Sequence, residues 1–182
     1  MGLDLGLEVP FVRPYELAQD DTPGLPVIKH AVHTLEAKEN YLPDIIVVLQ
    51  PTSPLRTSKH IDEALEIFLK NEADSLVSVT QVPHNMNPYS VMHLEHDNLK
   101  PFLEFDETRN IRQQKPKFYA RNGAAIYICE YDCLVKKNSL FGDKTIPYFM
   151  KNYESVDLDN EWDWQIAELA IKKNPNNFNG IS

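Results

Sequence analysis

Residues 45–56 constrain the fold more than any other stretch of this chain. Ile45, Ile46, Val47, Val48 and Leu49 form an unbroken apolar run in which the first four are β-branched. Such a run reads as a strand covered on both faces, the habit of a parallel sheet sandwiched by helices. The character then changes within one residue. Gln50 is polar, Pro51 and Pro54 fix the backbone and end the ladder, and Thr52, Ser53 and Arg56 add hydroxyls and a cation. A buried strand running into a rigid polar loop delivers those groups to the carboxyl edge of the sheet, where ligands bind in open α/β folds.

The flanking patterns fit that layering. Apolar residues at Val27/Ile28, Ala31/Val32 and Leu35 predict a helix over 26–39. Ser58 opens a second helix, with Ile61, Leu65 and Phe68 as its buried stripe and Ala64 allowing close approach to the sheet. Leu7, Val9 and Phe11 alternate and predict a short strand over 6–12; Leu76, Val77 and Val79 predict another over 74–82. The strand–helix–strand order implies a mainly parallel sheet with right-handed crossovers. From 83 to 116 the pattern changes, and residues 89–94 and 98–103 read as a protruding hairpin. Two strands alone cannot bury an apolar side, so the hairpin is expected to pack on another subunit. His84, His93 and His96 lack a fourth ligand at zinc spacing and read as surface or interface residues. A buried strand over 124–129, a short helix over 131–137 and a last helix ending near 173 complete the expected elements, with 174–182 as a tail.

Composition narrows the class. A chain of 182 residues is the size of one domain, and 42% hydrophobic residues suffice for a core. The net charge of -9 argues against wrapping nucleic acid or lying on an anionic membrane, yet permits an anionic substrate in a locally basic pocket. No apolar run reaches the ~20 residues of a membrane helix, and residues 1–6 have no basic leader-like start. Cys129 and Cys133 are the only cysteines, too few for a disulfide framework or a zinc knuckle, so a cytoplasmic setting is expected.

Several side chains carry chemistry. Asp157 and Asp159 are two apart on a stretch expected to be extended, which points both carboxylates to one side. A magnesium ion bearing nucleotide phosphates takes such a pair from its protein. Equally, Asp159 serves as a cap for the following helix while Asp163 supports its first turn. Arg112 offers a guanidinium that clamps a carboxylate bidentately, or a plain cation on a solvated loop. Arg13 reads as a surface cation, Thr22 as a helix cap, and Tyr127 as a core aromatic.

Leu49-Gln50-Pro51-Thr52-Ser53-Pro54-Leu55-Arg56 resembles the signature of the N-acylneuraminate cytidylyltransferases, or CMP-sialic acid synthetases. The likeness extends through Arg13-Pro14-Tyr15-Glu16-Leu17-Ala18 to Asp21-Thr22, Arg112-Gln113-Gln114-Lys115-Pro116, Asn122-Gly123-Ala124-Ala125-Ile126-Tyr127 and Asp157-Leu158-Asp159, covering about residues 6–173. It implies a Rossmann-like three-layer α/β/α nucleotidyltransferase fold. It also implies a reaction in which a sialic-acid-like 2-ulosonate sugar attacks the α-phosphate of CTP, giving CMP-sugar and pyrophosphate. By the same resemblance Asp157 and Asp159 hold Mg²⁺, Gln50, Arg112, Asn122, Tyr127 and Phe141 line the sugar, and Arg13 and Thr22 face the cytidine. Residues 84–116 would form the arm of a homodimer within a single domain, 1–182.

The family carries, ahead of the matched part, a first central strand, a glycine- and lysine-rich loop that grips the triphosphate, and a second strand. These N-terminal strands and the loop are not among the 182 residues. The expectation is weak CTP binding by this chain alone and an open edge on the 45–49 strand. Two other functions stay open: a glycosyltransferase using Asp157-Leu158-Asp159 for a sugar-nucleotide metal, and a non-catalytic sugar-binding or dimerising fragment.

Overall fold

The computed structural model describes residues 2–103, 116–123, 125–175 and 178. Four α-helices form among them, where periodicity and caps agree. Helix α1 (Gly24–Glu39) starts on Pro23 and stops at Asn40, whose left-handed backbone (φ 52°) returns its N–H to Leu35 O. Thr22 is not its cap, because the Thr22 hydroxyl accepts from Gln19 N–H at 3.1 Å. Helix α2 (Ser58–Lys70) is entered through a reciprocal pair: Thr57 N–H donates to His60 Nδ1 and His60 N–H to Thr57 Oγ1. It buries Ala64 and Phe68. Helix α3 (Tyr131–Val135) is shorter than its predicted 131–137, and helix α4 (Glu161–Lys173) completes the set. Asn160, not Asp159, caps α4: its side chain accepts from Trp162 and Asp163 N–H, and the Asp163 carboxylate accepts from Asn160 N–H.

Five strands build the main sheet: β1 (Ile45–Val48), β2 (Ser75–Gln81), β5 (Tyr119–Arg121), β6 (Tyr127–Glu130) and β7 (Thr145–Phe149). They run in the order β1-β6-β2-β5, with β7 also on β2. The expectation of a mainly parallel sheet is overturned. Strand β1 pairs antiparallel with β6, Ile45 opposite Glu130 and Val48 opposite Tyr127, and β2 pairs antiparallel with β5. The reason is physical: an all-apolar run records how a strand is covered but carries no signal for the direction of its neighbour. Strand β1 lies at the end of the strand order, and its four residues are only partly buried, so the reading of full cover on both faces is also corrected. The strand predicted over 6–12 does not form. Leu7 and Val9 alternate correctly but stand exposed, with no ladder partner among the described residues.

Strands β3 (Met92–Glu95) and β4 (Asn98–Pro101) form the expected hairpin. Its two-residue loop, His96-Asp97, has both residues at positive φ (46° and 65°), the geometry whose twist matches flanking strands. The chain groups into two compact units. The first comprises Met1–Leu49, Glu63–Leu76 and Ile126–Ile146. Its core gathers Val32, Cys129, Cys133 and Leu134, with Leu25, Ile28 and Ile46 packed against them. Both thiols are free, and burial pushes Cys129 up to about 12. The second unit comprises Gln50–Asp62, Val77–Ala125 and Pro147–Ser182, with Leu55, Ala167, Ala170 and Phe178 at its centre.

Candidate functional site

The proline-bounded loop after β1 belongs to the second unit and is fixed from inside. Ser53 N–H donates to Gln50 O and Arg56 N–H to Ser53 O, so the two prolines bracket consecutive turns. Leu55 is wholly buried against α4. Arg56 reaches back: its Nη1 donates to Gln50 O at 2.9 Å and to Ala125 O at 2.8 Å. Partial burial lowers the Arg56 pKa through desolvation, and the two carbonyls hold the guanidinium in place.

The acidic segment is tied to this loop by one backbone bond. Leu158 N–H donates to Thr52 O at 2.9 Å, which sets Asp157 and Asp159 beside the Pro51–Pro54 turn. Gly123 shapes the other side. Its φ of 64° suits glycine, and a Cβ there would lie 2.1 Å from Asp157 Oδ2. Asn122, next to it, is buried and engaged at both ends of its amide. Ser78 Oγ donates to Asn122 Oδ1 at 2.7 Å, while Nδ2 donates to Ser155 Oγ at 3.0 Å and to Met150 Sδ at 3.3 Å.

Two oxygens in this unit stand out. Asp157 Oδ1 and Ser53 Oγ are buried without a hydrogen-bond partner among the described residues. They sit one residue to either side of the Leu158–Thr52 bond. Buried oxygens with free lone pairs, one of them on a carboxylate, suit a hard cation. No group of three or more His, Cys, Asp or Glu side chains among the described residues is placed to hold a metal. That is consistent with magnesium's habit of taking one or two carboxylates and completing its shell with phosphate and water. The free Asp157 Oδ1 thus has the chemistry a nucleotide-borne magnesium ion takes from a protein.

Of the residues with candidate roles, Gln50, Asn122, Asp157 and Asp159 lie in this second unit. Gln50 is exposed, and its carbonyl rather than its side chain is bonded. Asp159 is exposed, with its N–H on Asp163 Oδ2 at 3.0 Å. Arg13, Thr22, Tyr127 and Phe141 lie in the first unit. There Tyr127 is buried and meets the ring of Phe141 edge-on at 5.8 Å, while Phe141 keeps 38% of its surface exposed. Arg13 is exposed, and Arg112 falls outside the described residues. Two features do not follow from the sequence alone: the tethering by Arg56 and the orphaned Ser53 hydroxyl. Their position inside the motif is the available signal.

The chain matches no family model. It is 34% identical to the post-translational flagellin modification protein B of Campylobacter coli over 173 residues, 95% of this chain and 72% of that protein. It is 35% identical to the CMP-N,N'-diacetyllegionaminic acid synthase of Campylobacter jejuni over 166 residues, 91% of this chain and 69% of that protein. An N-acylneuraminate cytidylyltransferase of Escherichia coli is 30% identical over 90% of this chain, which spans 37% of its length. A mixed α/β chain with these relatives is a nucleotidyltransferase. The chain belongs to the N-acylneuraminate cytidylyltransferase family.

No helix among the described residues is long and apolar enough to cross a bilayer.

Proposed function

We propose that this chain activates a sialic-acid-like 2-ulosonate sugar with CTP, giving CMP-sugar and pyrophosphate, as a magnesium-dependent cytoplasmic homodimer. The observation that carries the reading is the Leu158–Thr52 bond, which joins the motif loop to Asp157-Leu158-Asp159 within one unit. The names of the relatives, an N-acylneuraminate cytidylyltransferase and a CMP-legionaminic acid synthase among them, support the substrate class. Two free buried thiols support a reducing compartment.

In this reading Asp157 and Asp159 hold the cation, and the absence of a side chain at Gly123 leaves room for the Asp157 carboxylate. When bound, Mg²⁺ offsets the negative charge on the phosphates during displacement. Gln50 presents an amide to the sugar from a backbone that Arg56 and Ser53 immobilise. Asn122, whose amide is occupied internally, acts as a positioning residue that holds the 150–155 segment rather than as a sugar contact. The family resemblance further assigns Tyr127 and Phe141 to the sugar and Arg13 and Thr22 to the cytidine, all four in the first unit, and Arg112, outside the described residues, to the sugar.

The test is CMP-sugar formation from sialic or legionaminic acid by the purified chain at high CTP concentration, because weak CTP binding by this chain alone is the expectation. Asp157→Asn is expected to lower turnover on the order of a hundredfold, while calorimetric sugar binding stays unchanged. A variant with full turnover, or with lost sugar binding and intact CTP binding, overturns the assignment of Asp157.

A further inference from the structure

One side of α1 lines a cleft of about 620 Å³, within the size range of small-ligand sites. Lys29, His30, His33, Thr34 and Lys38 face it from the helix, and Asn138 faces it from the loop after α3. Their spacing of three to four residues makes them one stripe, separate from the Leu25–Ile28–Val32 stripe that packs into the core. Among the described residues lining the cleft there is no carboxylate, although the chain has 27 Asp and Glu against 18 Lys and Arg. Lys29 and Lys38 are the cations of this stripe. A cationic stripe of this kind is relieved by an anion.

Two details give the cleft a defined chemistry. Lys29 Nζ donates to Asn138 Oδ1 at 2.8 Å, which holds the ammonium against the loop instead of leaving it to sweep through solvent. His30 is fixed in orientation: its ring meets Phe11 edge-on at 5.4 Å, and Nε2 lies 3.4 Å from the Thr34 hydroxyl. Its Nδ1 is buried and has no hydrogen-bond partner among the described residues. A held imidazole stiffens this wall of the cleft, and the two lysines and His33 that line it suit a compact ligand with several acceptor oxygens and negative charge.

We propose that this cleft binds a phosphate-class anion, either inorganic phosphate or the phosphate group of a small ester, independently of the Asp157 site. The tetrahedral oxyanion accepts from Lys29, Lys38 and His33, and Pro26 and Ala37 form the apolar wall for an ester's carbon body. The test titrates the purified chain with inorganic phosphate and, separately, glycerol phosphate, following the imidazole NMR signals of His30 and His33. Sodium chloride at equal ionic strength is the control. Saturable shifts of both rings are expected, with tighter binding of the ester if the carbon body is recognised and equal binding if phosphate alone is. Lys29→Gln/Lys38→Gln is expected to weaken binding about tenfold or more, and Asp157→Asn to leave it unchanged. Should the double variant fail to fold, Lys38→Gln alone, at an exposed position, carries the same comparison. Shifts that match the chloride control, or binding that survives loss of the lysines, overturn the proposal.

Discussion

An alanine Cβ at position 123 would lie 2.1 Å from Asp157 Oδ2 and would have to adopt a φ of 64°. Both effects act against the same residue. Left-handed backbone costs a non-glycine residue about 1–2 kcal/mol, and displacing the half-buried carboxylate adds to it. Gly123→Ala is therefore expected to destabilise the chain by roughly 2 kcal/mol or more, read as a lower urea midpoint. Asp157→Ala in the same background should recover part of that loss, since the two nearest clashing atoms go and only the Cβ at 2.7 Å remains; equal midpoints for the single and double variants would show that the carboxylate contact is unimportant. The identity of such partners was beyond the sequence. A glycine in a sequence signals possible close approach, but which group approaches Gly123 is decided by a residue far along the chain. The same holds for Asn122, whose three partners at 78, 150 and 155 all lie far from it along the chain.

At the scale of elements, local order was legible and non-local order was not. Helices α1, α2 and α4 announce themselves because their apolar periodicity and end signals lie within one segment. Asn160-x-x-Asp163 is itself a capping-box spacing, so even the α4 cap was present in the sequence. Strand direction depends on a neighbour elsewhere, and nothing within Ile45–Val48 encodes it. The start of β2 shows how such non-local joins are made. Asp74 Oδ2 accepts from Asp143 N–H at 2.9 Å and Lys144 N–H at 3.1 Å, and lies 3.5 Å from Lys137 Nζ. The Lys144 backbone bond is the largest cause, and together with the Asp143 bond and the Lys137 charge it holds the Asp74 pKa below the ordinary carboxylate value against the opposing effect of desolvation. With the folded pKa below the unfolded one, the unfolded chain binds more protons in that window, and stability rises with pH there. The contribution is complete above the unfolded value of about 3.9 and vanishes as pH falls through the folded one. Asp74→Asn should lower the urea midpoint near neutral pH. The gap to the parent chain should close on acidification below about pH 3, and a pH-independent gap would refute the carboxylate's role.

For the whole molecule, size and composition bounded the class, and the hairpin was legible from its alternation. Its consequence is clearest in cross-strand register. Leu94 faces Leu99 and Met92 faces Pro101, so these four share one side; His93, Glu95, Asn98 and Lys100 share the other, where Lys100 and Glu95 form an ion pair. The apolar side is uncovered, with Leu94 at 67% and Leu99 at 68% exposure. A two-stranded ribbon is marginal by itself, and an amphipathic one gains most from a second apolar surface. In the proposed homodimer that surface is the partner's hairpin. Burying one leucine contributes roughly 1.5–3 kcal/mol, and two-fold symmetry repeats each contact. Leu94→Asp/Leu99→Asp is then expected to weaken dimerisation by roughly a thousandfold or more. Sedimentation would shift from dimer to monomer, while far-UV circular dichroism keeps its helical amplitude because the changed positions lie on strands, outside every helix. A parent chain that sediments as a monomer, or a variant that stays dimeric, would remove the hairpin from the interface and leave its apolar side to some other ligand.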